Sequence, residues 1–167
     1  MSAIISDTSI YQFTVTGITG ETISLADFKG KLLLIVNTAS GCGFAPQLKE
    51  LQNLYTQFKG SGLEILACPS NDFGKQEPLT NEGIATFCKI TYEVSFPLTQ
   101  KIHVKGAGAH PLYANLANKT INPKSNGFPR WNFHKYLIGK DGRMIDYFYS
   151  FTRPQSVKLQ KIITANL

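Results

Sequence analysis

The residues with the greatest chemical reach in this chain are its three cysteines, Cys42, Cys68 and Cys88. They stand 26 and 20 residues apart, which matches neither a paired C-x-x-C zinc site nor a disulfide framework, so the chemistry to consider is that of individual thiols. A thiol reacts as its thiolate, and at its ordinary pKa of about 8.5 it is mostly protonated at neutral pH. Cys42 is the one placed to escape that limit. It lies in Asn37-Thr38-Ala39-Ser40-Gly41-Cys42-Gly43, between the apolar run Leu32 to Val36 and a helical pattern that starts near Gln47. At a helix N-terminus, unpaired N–H groups and the positive end of the helix dipole favour an anion over a neutral thiol. The three histidines, His103, His110 and His134, share no metal-ligand spacing with one another or with the cysteines and read as structural.

The elements around Cys42 follow from hydrophobic periodicity. Leu32 to Val36 reads as a buried strand, Leu48, Leu51, Leu54, Tyr55 and Phe58 recur at helical spacing, and Leu63 to Cys68 reads as a second buried strand after the Gly60-Ser61-Gly62 break. Strands joined through a helix are usually parallel with a right-handed crossover, which brings Cys42 and the loop from Pro69 to Pro78 to one edge of the sheet. Ahead of this unit, alternation in Tyr11, Phe13 and Val15 and in Ile23 and Leu25 predicts a hairpin. Beyond it, a helix capped at Asn81 carries Ile84, Phe87 and Cys88 on one face, and Val94 to Leu98 is β-prone. Gly106 to Pro129 reads mainly as loop with a helical turn from Pro111 to Leu116. Asp141-Gly142 marks an antiparallel hairpin within Trp131 to Tyr149, and a last helix is expected from about Pro154 to Ala165, burying Val157, Leu159, Ile162 and Ile163.

At 167 residues, 43% hydrophobic and 17% charged, the chain is the size of one packed domain, read as residues 1–167 without linker, repeat or low-complexity tract. The formal charge of +6 is spread over scattered lysines, with no basic cluster or arginine-rich arm, which argues against nucleic acid as a partner. Met1 to Gln12 lacks the pattern of a secretory leader and no apolar stretch approaches membrane-spanning length, so a cytoplasmic protein with no integral membrane segment is expected.

A β-α-β unit with cysteine at the helix start, followed by a terminal hairpin and helix, is the layout of the α/β thioredoxin fold, here with an N-terminal β-hairpin and a central mixed sheet flanked by helices. The segment Asn37 to Gly43, the segment Pro69-Ser70-Asn71-Asp72-Phe73-Gly74-Lys75-Gln76-Glu77-Pro78 and Trp131-Asn132-Phe133 together resemble the glutathione peroxidase family in its cysteine-containing, non-selenium form. Phe96-Pro97, Ala109-His110-Pro111-Leu112-Tyr113 and Thr152-Arg153-Pro154 extend the resemblance through nearly the whole chain. It implies a peroxidase, active against hydrogen peroxide and organic hydroperoxides, in which Cys42 attacks the O–O bond and becomes a sulfenic acid. Gln76, Trp131 and Asn132 are implied around the sulfur, each an uncharged donor suited to a thiolate or a peroxide oxygen. Cys88 takes the place of the resolving cysteine of thioredoxin-dependent members, which implies a Cys42–Cys88 disulfide formed after its helix unravels and reduced by thioredoxin in preference to glutathione. No bound cofactor or metal is implied.

Three positions depart from the family pattern: Ser70, where cysteine is common, Asp72, where glutamine is usual, and Ala45, where threonine is usual. A carboxylate at Asp72 opposes the thiolate if it points inward. The segment from Tyr113 to Trp131 is short and lacks the insertion through which tetrameric members assemble, so a monomer is expected. Taken without the motifs, Cys88 and Cys68 are where core cysteines sit, Trp131 is a large core side chain, and Gln76 and Asn132 are turn residues. Two rival functions share this sequence: a peroxide-sensing relay that passes its disulfide to a regulatory protein, and a thioredoxin-fold binding module whose cysteine is inert.

Overall fold

Seven consecutive buried residues, Leu32–Thr38, form the strand that everything else is built on. A strand buried on both faces needs an apolar layer on each side, and its uninterrupted Leu-Leu-Leu-Ile-Val run supplies both. The computed structural model describes residues 7–167; residues 1–6, part of the stretch read as lacking a leader, lie outside the described residues. In chain order the elements are β1 (Thr14–Thr16), β2 (Thr22–Ser24), β3 (Leu32–Thr38), α1 (Gln47–Phe58), β4 (Leu63–Pro69), α2 (Asn81–Tyr92), α3 (Pro111–Ala117), β5 (Lys135–Ile138), β6 (Met144–Phe148) and α4 (Val157–Asn166).

The main sheet has the order β4-β3-β5-β6, with β3 and β4 parallel and the other two pairings antiparallel. This is the mixed sheet of the thioredoxin fold. Leu32, Leu34 and Val36 of β3 face a layer made by α1, α2 and α4, including Leu48, Leu51, Ile84, Leu159 and Ile163. Leu33 and Ile35 face the opposite layer, with Leu112, Tyr113 and Leu116 of α3 and Val15 of the β1–β2 hairpin. Cys42 and Cys88 belong to the first layer and Cys68 to the second.

Four details differ from the sequence reading. Tyr11 and Leu25, read into the hairpin, lie in short 3-10 turns, Ile10–Gln12 and Leu25–Phe28, that flank its two strands. Thr80, not Asn81, caps α2, its hydroxyl accepting the Gly83 N–H at 3.1 Å. Val94 to Leu98 forms no strand, because only Leu98 reaches the sheet edge, in an isolated parallel bridge to Ala67. The last helix starts at Val157 rather than at Pro154, since the Ser156 hydroxyl accepts the Leu159 N–H at 3.3 Å and stops the helix there. Val157 therefore points outward and is 69% exposed, while Leu159 and Ile163 are buried.

His134 sits just before β5 and is fully buried among Tyr136, Tyr147 and Tyr149, the Tyr147 ring stacked on it at 6.0 Å. Burial, with the nearby charges of Lys135 and Arg130, holds its imidazole down at about 4. The unfolded chain then binds a proton more readily than the folded one, so the stability held above the ordinary value of 6.5 is lost as pH falls toward 4.

Two outcomes are expected. Leu159→Ala costs about 2–5 kcal/mol in denaturant unfolding, whereas Val157→Ala changes stability by about 0.5 kcal/mol or less. A pH series of unfolding free energies declines by about 3 kcal/mol between pH 6.5 and 4, and His134→Phe removes most of that decline.

Candidate active site

Parallel pairing of β3 with β4 ends at Thr38 opposite Pro69, so the chain leaves both strands at the same sheet edge. The loops that follow are tied together directly. The Gly41 N–H donates to the Gln76 carbonyl at 2.8 Å, and a Cβ at Gly41 would lie only 2.8 Å from that oxygen, so this crossing admits glycine alone without movement. One residue earlier, the Ser40 N–H and hydroxyl donate to the two carboxylate oxygens of Glu77, at 3.0 and 2.6 Å. Glu77 is buried, and its own N–H donates to Asn71 Oδ1 at 2.9 Å.

Cys42 follows this clamp. It is 6% exposed, its Sγ accepts the Phe44 N–H at 3.4 Å, and its carbonyl accepts the Ala45 N–H at 2.9 Å. The chain is wound in single turns from here, Gln47 N–H to Phe44 O and Leu48 N–H to Ala45 O, before the regular helix sets in. Cys42 is thus five residues ahead of α1, in a turn leading into it. Beside it, Gly43, Phe44, Pro46, Gln47, Glu50, Phe151 and Arg153 line an open groove of about 350 Å³.

The third loop comes from the chain before β5. Asn37 at the end of β3 holds it, donating through Nδ2 to the Trp131 carbonyl at 3.0 Å and accepting the Phe133 N–H at its own carbonyl. Phe133 adopts φ +63°, a conformation uncommon for a residue with a bulky side chain. Asn132 is fully buried and donates through Nδ2 to Gln76 Oε1 at 3.0 Å. That bond occupies the Gln76 carbonyl and leaves Asn132 Oδ1 buried without a partner among the described residues. The Trp131 ring packs on Phe73 with centroids 5.6 Å apart, stands 3.1 Å from where a Cβ at Gly74 would lie, and is 37% exposed.

Gln76, Trp131 and Asn132 are therefore brought together, and the Gln76 backbone touches the residue before Cys42. Cys88 lies in α2, buried, in the same apolar cluster as Cys42, with both thiols free. Burial, reinforced by the Glu77 charge, pushes the Cys88 thiol up to about 12. Cys68 is fully buried in β4, and burial pushes it to about 12 as well.

Of the departing positions, Asp72 directs its carboxylate to the His103 loop, with Oδ1 2.7 Å from His103 Nδ1 and Oδ2 accepting the Val104 N–H at 2.7 Å. Burial raises its pKa, but the Val104 N–H and His103 outweigh this and lower it overall. Ser70 is buried with its hydroxyl on the Asp72 N–H at 3.3 Å, and Ala45 is buried. Arg153 pairs with both oxygens of Glu50 at 3.2 Å. Sequence reasoning passed over Glu77. It stands within the motif from Pro69 to Pro78, and nothing in the sequence marks its carboxylate as buried.

Known proteins resemble this chain along most of its length. The family model described as glutathione peroxidase matches residues 10–117. The chain belongs to the glutathione peroxidase family. It is 43% identical over 150 residues to a glutathione peroxidase of Lactococcus lactis subsp. cremoris, spanning 90% of this chain and 95% of that one. It is 41% identical over 150 residues to glutathione peroxidase-like peroxiredoxin 2 of Saccharomyces cerevisiae, spanning 90% and 94%. The crystal structure of Trgpx in its apo form superposes with a TM-score of 0.75 at 36% identity, covering 96% of each chain. A thiol:disulfide interchange protein from Chlorobium tepidum, at 14% identity and a TM-score of 0.68, shares the thioredoxin fold alone. Membership of this family makes the chain a thiol peroxidase. Among the described residues no helix is long and apolar enough to cross a membrane.

Glu77→Ala leaves the half-buried Ser40 N–H without its carboxylate partner and frees the loop before Cys42. Peroxide reactivity of the reduced protein, followed by stopped-flow single turnover, is expected to fall about 100-fold, while Glu77→Gln, which keeps an acceptor, loses far less.

Proposed function

We propose that the protein reduces hydrogen peroxide and organic hydroperoxides by a two-cysteine cycle in which Cys42 is the peroxidatic thiol, Cys88 the resolving thiol and thioredoxin the reductant. The observation that carries this reading is the convergence of three loops, bearing Cys42, Gln76 and Trp131-Asn132, at the end of β3. In the first step the Cys42 thiolate attacks one peroxide oxygen, the O–O bond breaks, and the product is a sulfenic acid plus an alkoxide or hydroxide that takes up a proton. The Phe44 N–H already directed at Sγ and the turns leading into α1 supply fixed dipoles for that anion. Because Asn132 occupies the Gln76 carbonyl, the Gln76 amide hydrogens remain for the departing oxygen, and the unpartnered Asn132 Oδ1 is a ready acceptor for a peroxide O–H.

In the second step the Cys88 sulfur attacks the sulfenic sulfur, a disulfide forms and water leaves. A buried thiol pushed up to about 12 is a poor nucleophile in place, so α2 must open first. The helix is suited to that. Only Ile84 and Cys88 are buried along its 12 residues, against five buried residues in α1, and it ends at Glu93 in the left-handed conformation, with the Val94 N–H capping the Cys88 carbonyl at 3.1 Å. A dithiol such as thioredoxin then returns both thiols by exchange. The engagement of Asp72 by His103 and Val104 speaks against an inert module spoiled by a carboxylate at the thiolate.

The test is NADPH consumption with hydrogen peroxide, thioredoxin and thioredoxin reductase. Wild type is expected to turn over, Cys42→Ser to be inactive, and Cys88→Ser to lose thioredoxin-supported turnover while still forming one sulfenic acid per chain. Full turnover in Cys88→Ser would remove the resolving role. Slow wild-type turnover with a trapped mixed disulfide to another protein would favour the sensor.

A further inference from the structure

Lys135 is the first residue of β5, fully buried, and takes no part in the chemistry described above. In the sheet it pairs with Val36 on one side and Phe148 on the other, so its side chain shares their face. Both neighbours belong to the apolar layer that contains Cys42 and α1. The amine ends at the start of that helix. Nζ donates to the Phe133 carbonyl at 2.7 Å and to the Ser150 carbonyl at 3.4 Å, and the same Ser150 oxygen accepts Gln47 Nε2 at 2.7 Å. Gln47 is the first residue of α1, and Phe133 is the residue after Asn132. Lys135 thus joins the loop bearing Trp131 and Asn132 to the helix entrance bearing Cys42.

The charge arrangement there is unbalanced. A buried ammonium needs a counter-anion, and the N-terminal end of a helix is the least favourable place for a cation. None of the salt bridges among the described residues includes Lys135. The acid that acts on it is Glu50 of α1, but both Glu50 oxygens are taken by Arg153, and Lys158 adds a further cation over the neighbouring Phe148 ring. The helix end and the amine together await one negative charge. Of the two thiols in this layer, Cys42 is the one that precedes α1 in the chain, while Cys88 lies within α2.

We propose that Lys135 is an electrostatic positioning residue for the peroxidase reaction: its ammonium, fixed by the Phe133 and Ser150 carbonyls at the entrance of α1, balances the Cys42 thiolate while holding the Asn132 loop in place. The inference rests on Cys42 being the peroxide-reactive thiol. The two groups then share a charge state, with thiol and neutral amine on one side and thiolate and ammonium on the other, the proton count being equal in both. Burial, partly offset by Glu50, brings the amine down to about 7.

The experiment is the pH titration of the Cys42 thiolate by its ultraviolet absorbance, in wild type, Lys135→Met and Lys135→Arg. Cys68 and Cys88, held at about 12, do not interfere. Lys135→Met, which keeps length without charge, is expected to raise the Cys42 midpoint by about one unit and to slow sulfenic acid formation at neutral pH about tenfold, with Lys135→Arg recovering most of both. A folded Lys135→Met with the wild-type midpoint overturns the proposal. Should the Met variant not fold, the reciprocal measurement decides: the Lys135 Nζ chemical-shift titration is expected to move down in Cys42→Ser, and an unchanged midpoint overturns the coupling. Both titrations are read without peroxide, so their outcome is separate from that of the turnover assay.

Discussion

The parallel pairing of β3 with β4 is the constraint from which the site descends. Both strands are buried along their full length, so their register is fixed by two apolar layers at once, and a slip of one residue would turn every side chain to the wrong layer. Parallel strands end at the same sheet edge, and the two loops leaving that edge meet without any long connection. The third loop joins them because β5 lies antiparallel on the other side of β3 and therefore enters the sheet at that same edge. Asn37, at the junction, bonds to the backbone on both sides of Asn132.

What the loops do beyond meeting depends on buried polar groups rather than on apolar packing. The Glu77 carboxylate, the Asn37 amide and the Asn132–Gln76 pair each join two segments distant in sequence, and in each the bond has one buried partner, which strengthens it. Part of the cost falls in these loops: Phe133 and Lys75 lie in the left-handed region, and Asn132 Oδ1 has no partner among the described residues. Glu93, the other non-glycine residue at positive φ among the described residues, ends α2 instead.

Much of this was legible in the sequence, and the reasons are local. Uninterrupted apolar runs at Leu32 and Leu63 with a helical period between them specify a parallel unit, and the position of Cys42 after the first run follows from that alone. Helix boundaries were less legible, because Thr80 and Ser156 compete with better-known signals at Asn81 and Pro154, and only the hydrogen bonds of the folded chain decide which caps. Gln76, Trp131 and Asn132 carry no periodicity and were visible through motif resemblance. Glu77 and Lys135 were hidden for a different reason: charged residues read as solvated by default, and nothing in a linear sequence says that both are buried.

The most direct measurement is peptide mapping by mass spectrometry after the reduced protein has been treated with one equivalent of hydrogen peroxide and quenched with an alkylating agent. The two-cysteine account predicts a Cys42–Cys88 disulfide, with Cys68 recovered as an alkylated thiol. A map in which Cys42 is recovered unoxidised, or bridged to Cys68, would contradict it.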